Sequence, residues 1–111
     1  MKNPISVSAF YDWLSRQDPA RGYDFYSNTN CLCAQYLRAL GFPVFLIGSY
    51  SWTDVRGKEH NFPKILTEIA LGASALCTEI NRPDLYRVWT FGAATERARL
   101  WLEVEKSRGV F

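Results

Sequence analysis

Apolar positions recur along most of the chain at helical spacing. Val7, Phe10 and Leu14, with Trp13 beside them, form one face of a helix expected from Val7 to about Arg16. Ser6 suits its N-cap, Ile5 and Phe10 stand at hydrophobic-staple spacing, and Asp18-Pro19 stops it. Cys33, Tyr36, Leu37 and Leu40 repeat at i, i+3, i+4 and i+7. They predict a second helix with Asn30 as N-cap and Gly41 as its left-handed exit. Ile65, Ile69, Ala73, Leu76, Cys77 and Ile80 keep the 3.6-residue period straight through Gly72. One long helix is expected from near Pro63 to Ile80, unbroken or bent at Gly72 and ended by Asn81-Arg82-Pro83. Phe91, Ala94, Ala98 and Trp101 mark a fourth helix after Thr90, closing at Arg108-Gly109. Its slim start, Gly92-Ala93-Ala94, admits a close neighbour, and Glu96, Arg97, Arg99, Glu103, Glu105 and Lys106 are assigned mostly to its wet side.

The period changes between the second and third helices. From Pro43 to Trp52, Val44, Leu46, Gly48 and Tyr50 alternate with Phe45, Ile47, Ser49 and Ser51, which reads as strand. Asp84 to Trp89 is the candidate partner. Thr53 to Asn61 is polar, contains Gly57 and reads as an exposed loop. The 18–29 loop carries Tyr23, Phe25 and Tyr26, of which at least two are expected to fold back onto the helices. The pattern predicts a mainly α fold of the α+β kind. It predicts a compact bundle of about four helices, together with a short two-stranded β element between residues 44–50 and 85–89.

Composition narrows the possible functions. A length of 111 residues suits one domain, 1–111. Thirteen Lys+Arg against eleven Asp+Glu leave a net charge of +2, which argues against direct nucleic-acid binding. The longest apolar run, Phe42 to Gly48, is too short to span a membrane, and Met1-Lys2-Asn3-Pro4 lacks the features of a secretory signal. Three cysteines without a framework of spaced pairs suit a reduced, cytosolic protein. Four Trp, six Tyr and seven Phe serve cores and interfaces equally.

Cys31 is the one candidate nucleophile. At the start of a helix, N–H groups and the helix dipole lower a thiol pKa. The run Asn30-Cys31 before Gln35-Tyr36-Leu37 loosely resembles the nucleophile helix of papain-like hydrolases. Such chemistry needs a base, and His60 is the only histidine, with Asp54, Glu59 or Asn61 as orienting group. The competing role for Cys31 is a small packed residue, which is where a free cysteine usually belongs. A metal site from Cys31, Cys33, Cys77 and His60 is disfavoured. Side chains at i and i+2 of a helix diverge by about 200°, and Cys33 and Cys77 lie on apolar stripes. No cofactor-binding motif occurs. The stretch Trp52 to His60 mixes charges with aromatics as protein interfaces do, so Tyr50, Trp52, Arg56, Lys58, Glu59 and His60 are the candidate partner-binding residues. Arg82, Arg87, Arg97 and Arg99 form a weaker basic candidate, since Arg97 and Arg99 diverge on their helix.

Three stretches together resemble small uncharacterised proteins of bacteriophages, prophages and mobile elements. They are Tyr23-Asp24-Phe25-Tyr26 with Asn28 to Asn30, Cys31 to Leu37, and Trp89-Thr90-Phe91-Gly92-Ala93-Ala94-Thr95-Glu96-Arg97. The resemblance carries no activity and no functional residue. It implies a phage accessory protein in the bacterial host cytoplasm that binds and blocks a host protein or defence complex. Inhibition of CRISPR–Cas machinery is the specific expectation. The charge of +2 argues against mimicry of nucleic acid and for occlusion of the target. A cysteine hydrolase using Cys31 and His60, a phage protein without a defence role, and a homodimer remain open.

Overall fold

In the computed structural model, which describes residues 5–26, 31–48 and 51–107, five α-helices accompany a three-stranded antiparallel sheet. The helices are α1 (Val7–Ser15), α2 (Leu32–Ala39), α3 (Lys64–Leu71), α4 (Ser74–Glu79) and α5 (Phe91–Ser107). The strands are β1 (Val44–Ile47), β2 (Ser51–Asp54) and β3 (Glu59–Asn61), paired in that order. A short 3-10 helix, Pro83–Leu85, precedes α5. No helix among the described residues is long and apolar enough to cross a membrane.

The first and last helices follow their sequence signals. Ser6 caps α1, its side chain accepting from Ala9 N–H at 3.2 Å, and Val7, Phe10 and Leu14 are buried. The Thr90 hydroxyl accepts from Ala93 N–H at 3.1 Å at the start of α5. The slim first turn of α5 admits the 19–21 backbone: Gly92 N–H donates to Pro19 O at 2.9 Å and Phe91 N–H to Arg21 O at 2.8 Å. α1 lies along α5, and the Phe10, Trp13, Tyr36 and Phe91 rings pack around their contact.

Four expectations need correction. The expected bundle of four helices is instead five helices beside a sheet, because α3 and α4 are separate. Gly72 closes α3 in the left-handed region, with φ +71°, and Ala73 is extended before α4 begins. The apolar period runs through because both helices cover the same core. The β element is a three-stranded meander, and residues 83–89 are not a strand. The stretch expected to be one strand, Pro43 to Trp52, is divided between β1 and the start of β2. The end of β2 and all of β3 lie in the stretch expected to be loop and form a hairpin, Trp52 standing opposite His60. Asp54-Val55-Arg56-Gly57 makes the turn: Gly57 N–H donates to Asp54 O at 2.9 Å, and Gly57 takes the left-handed position with φ +86°. The N-cap of α2 is Cys31, with extended backbone, rather than Asn30, which lies outside the described residues together with Tyr50 and Arg108-Gly109.

Strict alternation also fails in β1. The register slips between Val44 and Leu46, a bulge that leaves Phe45 58% exposed and buries Val44 and Ile47 on one side. β1 rests against α2, which brings the sheet onto the helical core.

Candidate functional site

The sequence places chemistry at Cys31 and His60, and the structure gives each a different setting. Cys31 is buried, and burial pushes its thiol up, outweighing the downward pull of the Ala34 and Cys33 N–H groups. The helix start therefore does not activate it. Cys33 and Cys77 are buried as well, and burial raises both thiols. No group of three metal-ligating side chains occurs among the described residues.

His60 belongs to the hairpin. Its ring stacks on Trp52 with centroids 4.3 Å apart and planes 19° apart. Its Nε2 meets Asp54 Oδ2 at 2.9 Å, while Asp54 Oδ1 accepts from Arg56 N–H and Lys58 N–H. These bonds, the His60 one foremost, hold the Asp54 carboxyl below its ordinary range. A base and its orienting carboxylate are thus present, but their contacts tie the turn together and Cys31 is not among them. Trp52 is also not a surface residue: it is 4% exposed and packs on Phe42. Of the expected partner-binding set, Arg56, Lys58 and Glu59 are exposed and His60 is half-buried.

Arg97 was expected on the wet side of α5 and is instead fully buried, at 0% exposure. Its five N–H groups each find an acceptor. Nε donates to Ile69 O at 2.6 Å; Nη1 donates to Leu85 O at 2.9 Å and Val88 O at 2.8 Å. Nη2 donates to Tyr23 Oη at 2.8 Å and to Ala70 O at 3.4 Å. Tyr23 in turn donates to Ala70 O, and Trp89 Nε1 donates to Leu71 O at 2.8 Å. The carbonyls of Ile69, Ala70 and Leu71 are those that the end of α3 leaves without helical partners. Three side chains from distant segments satisfy them. The same carbonyls form the negative end of the helix dipole, a suitable setting for a guanidinium without a carboxylate. Burial lowers the Arg97 pKa, but an arginine starts so high that it stays charged. The signal was in the sequence: Arg97 stands at i+3 from Ala94 and i−4 from Trp101, on their stripe.

This buried group organises a surface above it. By holding the Leu85 and Val88 carbonyls, Arg97 fixes the segment between the 3-10 helix and α5, and Arg87 N–H donates to Gly72 O at 3.1 Å. Asn81, at φ +56°, follows the end of α4, where asparagine takes the left-handed conformation readily. Arg87 is pinned in the same region, with φ +52°. Strain of this kind persists only where surrounding contacts dictate it, and it concentrates at functional sites. Tyr86 is 50% exposed and Tyr26 68% exposed, with Arg87 and Val88 also exposed. Tyr26 and Phe25 rest on Trp89, with centroids 5.2 Å and 5.8 Å away. The basic candidate therefore disperses. Arg97 is internal, Arg99 pairs with Glu96 and Glu103, Arg82 pairs with Asp84 and Glu96, and Arg87 faces solvent between two tyrosines.

No family model matches the sequence, and no curated protein or solved structure matches it.

Proposed function

We propose that the chain is a protein-binding module that acts by stoichiometric contact: a phage-encoded inhibitor of a host defence system, with CRISPR–Cas machinery as the specific target, working in the bacterial cytoplasm. The observation that supports this reading best is the exposed platform of Tyr26, Tyr86, Arg87 and Val88 over Trp89. Tyr, Trp and Arg supply most of the energy at protein interfaces, and a pre-ordered backbone lowers the entropy lost on binding. Raised thiols and a histidine engaged within its own hairpin favour binding over covalent catalysis.

The test is affinity capture from bacterial lysate, paired with phage plating on CRISPR-bearing cells that express the chain. Recovery of a defence-complex subunit and raised plating are expected. Tyr86→Ala should weaken both. No defence subunit recovered together with unchanged plating overturns the reading.

A further inference from the structure

The platform adjoins a cleft of about 400 Å³ lined by Ser74, Cys77, Thr78, Asn81, Pro83 and Tyr86. Tyr86 is shared between the two: it lines the cleft, and the Arg87 guanidinium carbon stands 5.7 Å from the centre of its ring. On its other side, Arg87 Nη1 lies 3.4 Å from Tyr26 Oη. Among the described residues Arg87 meets no carboxylate, whereas the neighbouring Arg82 holds Asp84 through two bonds of 2.9 and 2.8 Å. The one exposed carboxylate on the 3-10 helix is thus already neutralised, and the platform keeps a single uncompensated positive charge beside a partly apolar hollow.

We propose, building on the protein-binding reading above, that this surface takes an acidic peptide segment of a partner protein. Arg87 receives a carboxylate, and the cleft beside Tyr86 receives an apolar side chain one or two residues away from it. An arginine fork binds a carboxylate through two parallel bonds, and here its direction is set in advance by the left-handed backbone and by two tyrosines. A single free cation suits one carboxylate. It is too little for a phosphate backbone, whose binding depends on several neutralising charges at once.

The test is selection of a random-peptide display library on the full chain, followed by affinity measurement with the enriched peptides made synthetically. The variants are Arg87→Glu, which reverses the charge, and Thr78→Phe, which fills the cleft from its exposed rim. Both change exposed residues, and circular dichroism confirms their folding. Enriched peptides should carry Asp or Glu within two positions of an apolar residue. Each variant should weaken them about tenfold or more. Enrichment of no sequence, enrichment without acidic residues, or equal binding to Arg87→Glu overturns the inference. So does a single-stranded DNA oligonucleotide, or a self-association equilibrium, that depends on Arg87 while the peptides do not. If the wild type and both variants capture the same defence subunit equally, this inference falls and the inhibitor reading stands. If the peptides behave as expected but capture and plating fail, the reverse holds.

Discussion

Arg97 Nη2 donates to Tyr23 Oη at 2.8 Å across 74 positions of sequence, and the Tyr23 hydroxyl donates in turn to the Ala70 carbonyl. Two ends of the chain are joined at the terminus of a third element, without a carboxylate in the group. The loss of Arg97 should therefore be felt as several stranded carbonyls rather than as one broken pair. Arg97→Met is expected to cost about 3 kcal/mol or more, measured as a shift of the urea midpoint. Arg97→Lys should recover only part of this, since an ammonium cannot reach acceptors spread over a guanidinium fork. A loss below about 1 kcal/mol for the Met variant would mean that the network contributes little.

Tyr23 adds a dependence on alkaline pH. Burial, the largest cause, raises its phenol well above the ordinary value of about 10, with Arg97 opposing. Between the unfolded and folded values, the unfolded chain has lost the proton and the native chain still holds it. Stability is then fully present below pH of about 10 and falls as pH rises further. Tyr23→Phe should flatten the decline while lowering stability at neutral pH through loss of the Ala70 bond. Burial also raises Tyr36, so a residual slope remains. Parallel denaturation curves for the two proteins from pH 9 to 11 would contradict this.

Gly72 and Gly57 share a positive φ but differ in surroundings. A Cβ on Gly72 would stand 2.7 Å from Arg87 N and 3.0 Å from Leu85 O, whereas one on Gly57 meets nothing within 4 Å. Gly57→Ala should cost only the left-handed penalty, about 1–2 kcal/mol. Gly72→Ala should cost clearly more and also weaken binding at the platform, because the clash is with the backbone that carries Arg87. Equal losses in thermal melts would refute the distinction.

The cysteines should be slow. In the native protein at pH 8, a disulfide reagent is expected to modify Cys31, Cys33 and Cys77 far more slowly than in urea, since burial raises all three thiols. Rapid alkylation of Cys31 itself near neutral pH, located by peptide mapping, would make it the candidate nucleophile again.

Acid should loosen the hairpin. The Asp54 carboxyl is held down mainly by His60, with help from the Lys58 and Arg56 N–H groups. Its contribution is present above the unfolded value of about 3.9 and is lost as pH falls through the lower folded value. Asp54→Asn should remove this step, seen by Trp52 fluorescence between pH 2 and 5. An unchanged acid transition would count against it.

Sequence reading captured what is local. Ser6, Thr90, Gly41 at φ +91°, the stripe of α1 and, in α2, Cys33, Tyr36 and Leu37 act at short range, so their signals survive in a linear string; Leu40, expected on that stripe, is the C-cap and is 39% exposed. The folding back of Tyr23 and Phe25 was legible because aromatic rings seldom remain in water. The β2–β3 hairpin was missed because Glu59-His60-Asn61 has no apolar alternation; Asp54 and Gly57, the turn residues, were the available clue. The bulge at Phe45 hid the inward face of β1 by changing its phase. Arg97 was placed outside because charged residues usually are, and its partners are carbonyls, which leave no trace in side-chain patterns. The surface that now stands out depends on Arg97. In the Trp52–His60 stretch, Trp52 is buried and stacks on His60, whereas Arg56, Lys58 and Glu59 stay exposed.

The end of α3 has a consequence for the order of assembly. Its last carbonyls wait for Tyr23, made long before it, and for Trp89 and Arg97, made well after it. Until α5 has arrived, those carbonyls must turn to water, and the turn at Gly72 lacks the Arg87 N–H that anchors it. A nascent chain that has not yet delivered Arg97 cannot close its centre, and α1 still lacks the helix it packs along. Folding is thereby tied to a late, long-range event, and the platform residues are ordered in the same step that completes the core.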